Sequence, residues 1–275
     1  MRKRSSVNRS PGPGSLLCAG LVLALTACTL AAPPAAAGTR RHADPNVLWH
    51  LVHDGCVPAA LKHDYPPKPC ADVSTPAGHF DRGYAVLKDI RGRYQYLVLP
   101  VARISGIESP AMLAPDAPNY LADAWNARLY VDAALHRVMP RDALVLAVNS
   151  KYGRTQNELH IHVDCIRIDV HEALREQLPG VTEQWKRLPV PLHGHVYKAR
   201  WVGGASLVIN PFRSLADALP PDAGMGRYGL AVVGARSPTG KPGFVLLATR
   251  ADISKGNYGS AEELQDHACT IAHRP

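Results

Sequence analysis

The sequence predicts an α+β fold built on an antiparallel sheet, and three observations carry that prediction. Short stretches in which apolar and polar residues alternate recur along the chain, several of them joined by glycine-containing turns. Helical spacing of apolar residues is confined to separate stretches. No strand–helix–strand rhythm appears, so nothing calls for parallel crossovers. The 275 residues, 46% of them apolar, suffice for one large domain with additions.

The N-terminus reads as an export signal. Arg2, Lys3, Arg4 and Arg9 precede an uncharged stretch, 16–37, and residues 1–37 contain no acid. Leu25-Thr26-Ala27-Cys28 resembles a bacterial lipoprotein processing box, with Cys28 the lipidated residue. Ala35-Ala36-Ala37 offers an ordinary cleavage site instead. An uncleaved anchor is the third reading, because the run is just long enough to span a bilayer, although Pro33 and Pro34 break its end. All three readings export the main domain, 46–275, after a linker over 38–45, and the expected location is attached to the bacterial inner membrane with the catalytic domain in the periplasm or outside.

Cysteine usage agrees with export. Of six cysteines, Cys18 and Cys28 belong to the signal, leaving Cys56, Cys70, Cys165 and Cys269. An even number in an oxidising compartment suggests two disulfides with three possible connectivities. Cys56–Cys70 is favoured because it closes a short proline-rich loop, and Cys165–Cys269 would then tie the C-terminus to the motif strand described below. Four buried free thiols are the alternative. The formal charge of +8 is partly spent on the signal. The remainder suits an anionic substrate or a lipid surface. It does not suit nucleic acid, because no dense Lys/Arg patch with interleaved aromatics occurs.

In chain order, 47–52 begins a short apolar helix and 54–79 reads as a proline-rich loop. Residues 84–87 and 95–100 are strands around an Arg91-Gly92 turn. Leu121, Ala124, Ala127, Val131, Leu135 and Val138 recur at helical spacing, with Asn119 as cap and Pro140 as stop. Residues 143–149 form a strand. Residues 171–178 and 212–219 read as helices. Residues 230–233 and 244–249 alternate like a hairpin around Pro238-Thr239-Gly240. Ser260 and Glu263 have the spacing of a capping box. His193-Gly194-His195 reads as a loop.

The chemistry concentrates in Asn149-Ser-Lys-Tyr-Gly-Arg-Thr-Gln156-Asn-Glu-Leu-His160-Ile-His162-Val-Asp164. On a strand, residues i and i+2 share a face, about 6–7 Å apart. His160, His162 and Asp164 therefore point one way, and Leu159, Ile161, Val163 and Cys165 point the other way, into a core. Just upstream, 153–156 forms a turn rich in hydrogen-bond donors. Imidazoles on a rigid strand beside such a turn suit attack on a phosphate. An isolated histidine is more often structural; this context favours chemistry.

These residues resemble the histidine-triad superfamily. Gly83-Tyr-Ala-Val-Leu-Lys-Asp89-Ile and Tyr96-Leu-Val-Leu-Pro100-Val-Ala-Arg-Ile104-Ser look like its paired strands, and the spacing from Asn149 through Gln156 and His160 to His162 matches its motif without a gap. The resemblance implies that His162 is the nucleophile and His160 the first histidine of the run. Asp164 stands where the third would be, and Lys88 where many members carry another histidine. A closer likeness is to the bacterial CDP-diacylglycerol pyrophosphatases, over most of 45–272. It includes Gly153-Arg-Thr-Gln-Asn157, Cys165-Ile-Arg167, Gly226-Arg-Tyr-Gly-Leu-Ala231, Phe244-Val-Leu-Leu-Ala-Thr249 and Ser260-Ala-Glu-Glu-Leu-Gln-Asp-His267.

The resemblance implies a histidine-triad-like sheet with packed helices and C-terminal additions. It also implies hydrolysis of CDP-diacylglycerol to CMP and phosphatidate, with no cofactor and no metal. Gln156, Asn149, Asn157 and the amides of 153–157 are expected to bind the phosphates. Lys88 or Arg154 adds positive charge, and Asp164 orients His160 or contacts the substrate. Three alternatives stand beside this. One is a related hydrolase or nucleotidyl transferase acting on soluble nucleotides. Another is a zinc-dependent phosphohydrolase using His160, His162 and either Asp164 or His195. The third is a binding lipoprotein that has lost activity.

Overall fold

A computed structural model describes residues 44–76 and 79–274. The expected signal, its Cys28 and all but the last two residues of the expected linker lie outside these. Those two, Asp44 and Pro45, are docked on the domain: their carbonyls accept from the Gln156 side chain at 3.1 Å and the Asn157 amide at 2.6 Å.

The first helical stretch runs further than the sequence suggests. Helix α1 (Val47–His50) continues through a π turn, Leu51–Cys56, into α2 (Val57–Leu61). The Cys56–Cys70 disulfide ties this stretch to the proline-rich loop, which leads into β1 (Asp72–Ser74). Strands β2 (Tyr84–Lys88) and β3 (Tyr96–Pro100) flank the expected turn, where Gly92 adopts φ +68°. Helix α3 (Tyr120–Leu135) begins as expected, with the Asn119 side chain accepting from the Ala122 amide. It ends earlier than Pro140, because His136 turns left-handed (φ 51°) and leaves Val138 exposed.

Strands β4 (Leu144–Val148) and β5 (Ile161–Cys165) follow, then α4 (Ile168–Gln177), β6 (Lys186–Arg187) and β7 (Lys198–Gly203). Helix α5 (Pro211–Ala216) precedes the hairpin of β8 (Tyr228–Arg236) and β9 (Pro242–Arg250). The expected capping box does not form. A single 3₁₀ turn, Ala261–Leu264, replaces it. The Glu263 carboxylate is taken by Tyr197 and His195 (2.7 and 2.8 Å), while the Ser260 hydroxyl donates to Asn149.

Among the described residues one sheet runs β1-β2-β3-β5-β4-β8-β9-β7-β6, and every pairing is antiparallel. The fold class expected from the sequence is the one observed. Alternation sorts the side chains onto two faces. Val86, Val98, Ile161, Val163, Leu146, Val232 and Leu246 pack under α3, with Leu121, Ala124, Trp125 and Val131. The opposite face carries two separate apolar clusters. One is built on Ala85, Leu87, Leu97 and Leu99 beneath the N-terminal helices. The other is built on Val145, Ala147, Ala231, Val233 and Leu247 beneath α4.

Between those clusters runs β5, which offers this face His162 and Asp164 in place of apolar side chains. His162 is opposite Leu97 on one side and Ala147 on the other. The polar strip lies on an interior strand of the sheet, paired on both sides. The second disulfide, Cys165–Cys269, fastens the C-terminal segment to the end of β5. Two disulfides accord with folding in an oxidising, extracytoplasmic compartment. No helix among the described residues is long and apolar enough to cross a membrane.

Candidate active site

A cavity of about 320 Å³ opens over the polar strip of β5. Val47, Leu48, Leu97 and Ile90 form its apolar walls, and His160, His162, Asn149, Thr155, Gln156, Arg91 and Glu262 supply polar groups. A larger cavity, about 570 Å³, lies between α4 and the end of β8, walled by Met139, Leu174, Leu178 and Val233. Its histidine, His171, is paired with Asp142. The smaller cavity alone combines buried imidazoles with convergent polar groups.

His160 and His162 share the cavity wall as the strand periodicity predicts, with ring centroids 4.9 Å apart and nearly perpendicular planes. His160 Nδ1 lies 2.6 Å from the Glu158 carbonyl. A carbonyl only accepts, so Nδ1 carries the proton and Nε2 keeps its lone pair. His162 Nδ1 lies 3.1 Å from the Gln95 amide nitrogen and 3.4 Å from a Glu262 oxygen. Its Nε2 is buried and meets no hydrogen-bond partner among the described residues. Burial, reinforced by the neighbouring rings of His160 and His267 and by the Arg91 charge, holds the His162 pKa well below the ordinary imidazole value. Burial likewise lowers that of His160. Both rings are neutral at pH 7, and a neutral ring has a lone pair to give.

The turn after β4 is built around Ser150. Its hydroxyl accepts from the amides of Tyr152 and Gly153 (3.0 and 3.2 Å), and its carbonyl from Gly153 and Arg154. The amides of Gly153, Arg154 and Asn157 are therefore already spent. Among the described residues no acceptor meets the Thr155 or Gln156 amide, and both residues line the cavity.

The other expected ligands divide. Gln156 lines the cavity, but its side chain also bridges to the Asp44 carbonyl and the Leu48 amide (3.1 and 3.2 Å), clamping the N-terminal segment over the site. Asn149 accepts from the Glu262 amide and donates to its carboxylate (3.1 and 3.0 Å), so it holds Glu262 in place. Asn157 is not on the cavity wall.

Arg154 reaches the wall, but its guanidinium makes a two-pronged pair with Glu108 at 2.7 and 2.5 Å, so its charge is already neutralised. A Cβ on Gly106 would come within 2.5 Å of that guanidinium. Lys88 is turned away: its ammonium donates to the carbonyls of Asp89 and Gly92 and lies over the Tyr96 ring. The cation on the cavity wall with no ion pair among the described residues is Arg91, which the sequence reading assigned only to a turn.

Asp164 does not orient His160. It is fully buried; one oxygen accepts from the Cys165 amide and the other from His267 Nδ1, both at 2.8 Å. His195, offered as a zinc ligand, is held by Glu263. Thus the two groups suggested as further metal ligands are engaged elsewhere. Among the described residues no trio of His, Cys, Asp or Glu side chains is placed to hold a metal.

Gln95, Glu262 and His267 are the site residues that sequence reasoning did not find. Gln95 also donates to Gln265, whose amide in turn donates to the carbonyls of Val145 and His162 at 2.9 and 3.1 Å. This buried amide chain fixes the strand that carries the histidines.

A family model for CDP-diacylglycerol pyrophosphatase matches residues 43–273. The chain belongs to the CDP-diacylglycerol pyrophosphatase family. One relative, a CDP-diacylglycerol pyrophosphatase from Yersinia pestis, is 42% identical over 233 residues, which is 84% of this chain and 86% of that protein. The matched span contains all the cavity residues, and also Gln95 and His267, which lie off the cavity wall.

Behind the strip lies one more ionisable group. Glu158 is fully buried, and neither carboxylate oxygen has a partner among the described residues. Burial pushes its pKa up to about 8. In the unfolded chain it ionises near 4.5. The folded state thus binds the extra proton between these values, so this contribution to stability is complete below 4.5 and is lost as pH rises through 8. Glu158→Gln should remove that slope. The wild-type melting temperature is expected to fall relative to the variant's between pH 5 and pH 8, as followed by thermal unfolding at a series of pH values; parallel curves would refute the assignment.

Proposed function

We propose that this protein hydrolyses CDP-diacylglycerol to CMP and phosphatidate, with His162 forming a covalent bond to the cytidylyl phosphorus. The observation that carries the nucleophile is the unshared Nε2 of a neutral ring at the cavity wall. In the resting site Nδ1 accepts from the Gln95 amide, so attack through Nε2 requires the ring proton to move to Nδ1, where the Glu262 oxygen 3.4 Å away can take it up. The N–P bond forms as the anhydride oxygen departs with phosphatidate. Water then cleaves the N–P bond and releases CMP. One difficult displacement becomes two easier ones.

The leaving group is a phosphate monoester, so its departure does not depend on a Lewis acid. Developing charge on the phosphoryl oxygens falls to preorganised donors: the Thr155 and Gln156 amides and the Arg91 guanidinium. A cavity of about 320 Å³ matches a nucleotide head group and leaves no space for two acyl chains. The chains must leave across the rim. There Ile90 is 98% exposed and Val47 44% exposed, beside Arg91. An apolar, basic rim suits contact with a phospholipid surface, and with the export signal it supports attachment at the outer side of the inner membrane.

Detergent-solubilised protein given CDP-diacylglycerol in EDTA should release CMP and phosphatidate in equal amounts. Activity lost in EDTA and restored by zinc would favour metal chemistry instead, and activity confined to soluble nucleotides would overturn the lipid substrate.

A further inference from the structure

The reaction moves protons, and neither His160 nor His162 is charged to supply one. His267 sits beside them, brought from the C-terminal segment by the Cys165–Cys269 disulfide two residues away. Its Nδ1 donates to the buried Asp164 carboxylate at 2.8 Å. Its Nε2 therefore points away from Asp164 and lies 3.6 Å from Glu262 Oε1. That same oxygen is 3.4 Å from His162 Nδ1, so one carboxylate bridges the two rings. The His267 side chain is 37% exposed, against none for Asp164. The ring is anchored at Nδ1 by Asp164, and its Nε2 faces Glu262, a residue of the cavity wall.

We propose that His267, oriented by Asp164, is the general acid and then the general base of the two displacements. This rests on the His162 reading above. In the first step the His162 Nε2–P bond forms and the bond from phosphorus to the bridging oxygen breaks. The Nε2 proton of His267 passes to that departing oxygen, so phosphatidate leaves carrying it. In the second step the oxygen of water bonds to phosphorus. The N–P electron pair returns to His162, and the water proton goes to His267 Nε2. CMP departs and the resting protonation state is restored.

The surroundings of His267 suit this alternation. Its hydrogen bond to Asp164, with the nearby charges of Glu262 and Asp89, raises its pKa above the ordinary value, while burial opposes them. Burial raises the pKa of Asp164, and the pairing with His267 works against that. The facing group of opposite tendency is His162, whose pKa is depressed. Two imidazoles within one site are thus driven apart, one toward the neutral form that attacks and one toward the charged form that gives a proton. The turn 89–92 covers one side of the ring, and a Cβ at Gly92 would come within 2.7 Å of the His267 Cβ.

The test compares wild type, His162→Ala, His267→Ala, His267→Gln and Asp164→Asn on two substrates. One is CDP-diacylglycerol; the other is the 2,4-dinitrophenyl ester of CMP, whose phenolate is a much weaker base than phosphatidate and leaves without a proton. His267→Ala should lose about 10²-fold or more in kcat on the lipid. On the ester it should release one equivalent of 2,4-dinitrophenol in a burst and then turn over slowly, with cytidylate held on His162. His267→Gln, which keeps the bulk and the contact to Asp164, should behave alike. Asp164→Asn should shift the alkaline limb of the pH profile to lower pH. Unchanged lipid turnover in both His267 variants, or a loss with no burst and no held cytidylate, overturns the proposal while an inactive His162→Ala leaves the nucleophile standing. An active His162→Ala overturns both.

Discussion

His162→Ala should be inactive, with kcat lowered on the order of 10⁴-fold or more, while the protein stays folded. The size follows from the role: removing a nucleophile eliminates the covalent route and leaves only binding and electrostatic help. The fold survives because the ring's hydrogen bonding is confined to Gln95 and Glu262, and one such contact contributes about 1 kcal/mol. His160→Ala is a sharper control than a distant surface change. It removes the adjacent ring and its bond to the Glu158 carbonyl, yet leaves the nucleophile. Steady-state CMP release, with circular dichroism on the same samples, separates loss of chemistry from loss of fold. Comparable activity in wild type and His162→Ala would remove the nucleophile assignment.

The second large effect concerns stability. Cys165 and Cys269 are fully buried and 104 residues apart in sequence, so their bond closes a long loop. Chain entropy assigns such a loop about 4.7 kcal/mol. Cys56 and Cys70, separated by 14 residues, close one worth about 3 kcal/mol. The Cys165→Ala/Cys269→Ala double variant should therefore lose more stability in urea denaturation than Cys56→Ala/Cys70→Ala. It should also lose activity, because Glu262, Gln265 and His267 all lie on the segment the bond secures. Equal losses from the two double variants, with full activity in both, would contradict this account of the C-terminal segment.

The sheet was legible because a short apolar run bounded by turn residues is a local signal: β2, β3, β4, β8 and β9 are such runs over consecutive residues, and β5 alternates Ile161, Val163 and Cys165 with His162 and Asp164. Strand β7 was not, because its alternation of Lys198 and Arg200 with Ala199 and Trp201 spans only four residues. The histidine pair and the turn from Asn149 to Gln156 were legible for the same reason, being contiguous in the chain. What surrounds them was not. Gln95 meets His162 across 67 residues and His267 meets Asp164 across 103, and no spacing rule links such positions. Charge misled where partners were hidden. Arg154 and Lys88 looked available for phosphate until Glu108 and the carbonyls of Asp89 and Gly92 were seen to occupy them. Arg91, read as a turn residue, took their place on the wall. Asp164 lost its expected role at His160 and gained one at His267.

The central claim is a covalent cytidylyl–histidine intermediate, and trapping it tests that claim most directly. Protein mixed with an equivalent of CDP-diacylglycerol is denatured rapidly in alkali, where phosphoramidates of histidine survive, and is then digested and sequenced by mass spectrometry. Wild type should carry cytidylate on His162, and the His162→Ala variant should carry none. CMP release in a single turnover with no modified histidine, or with the label on His160, would contradict the claim.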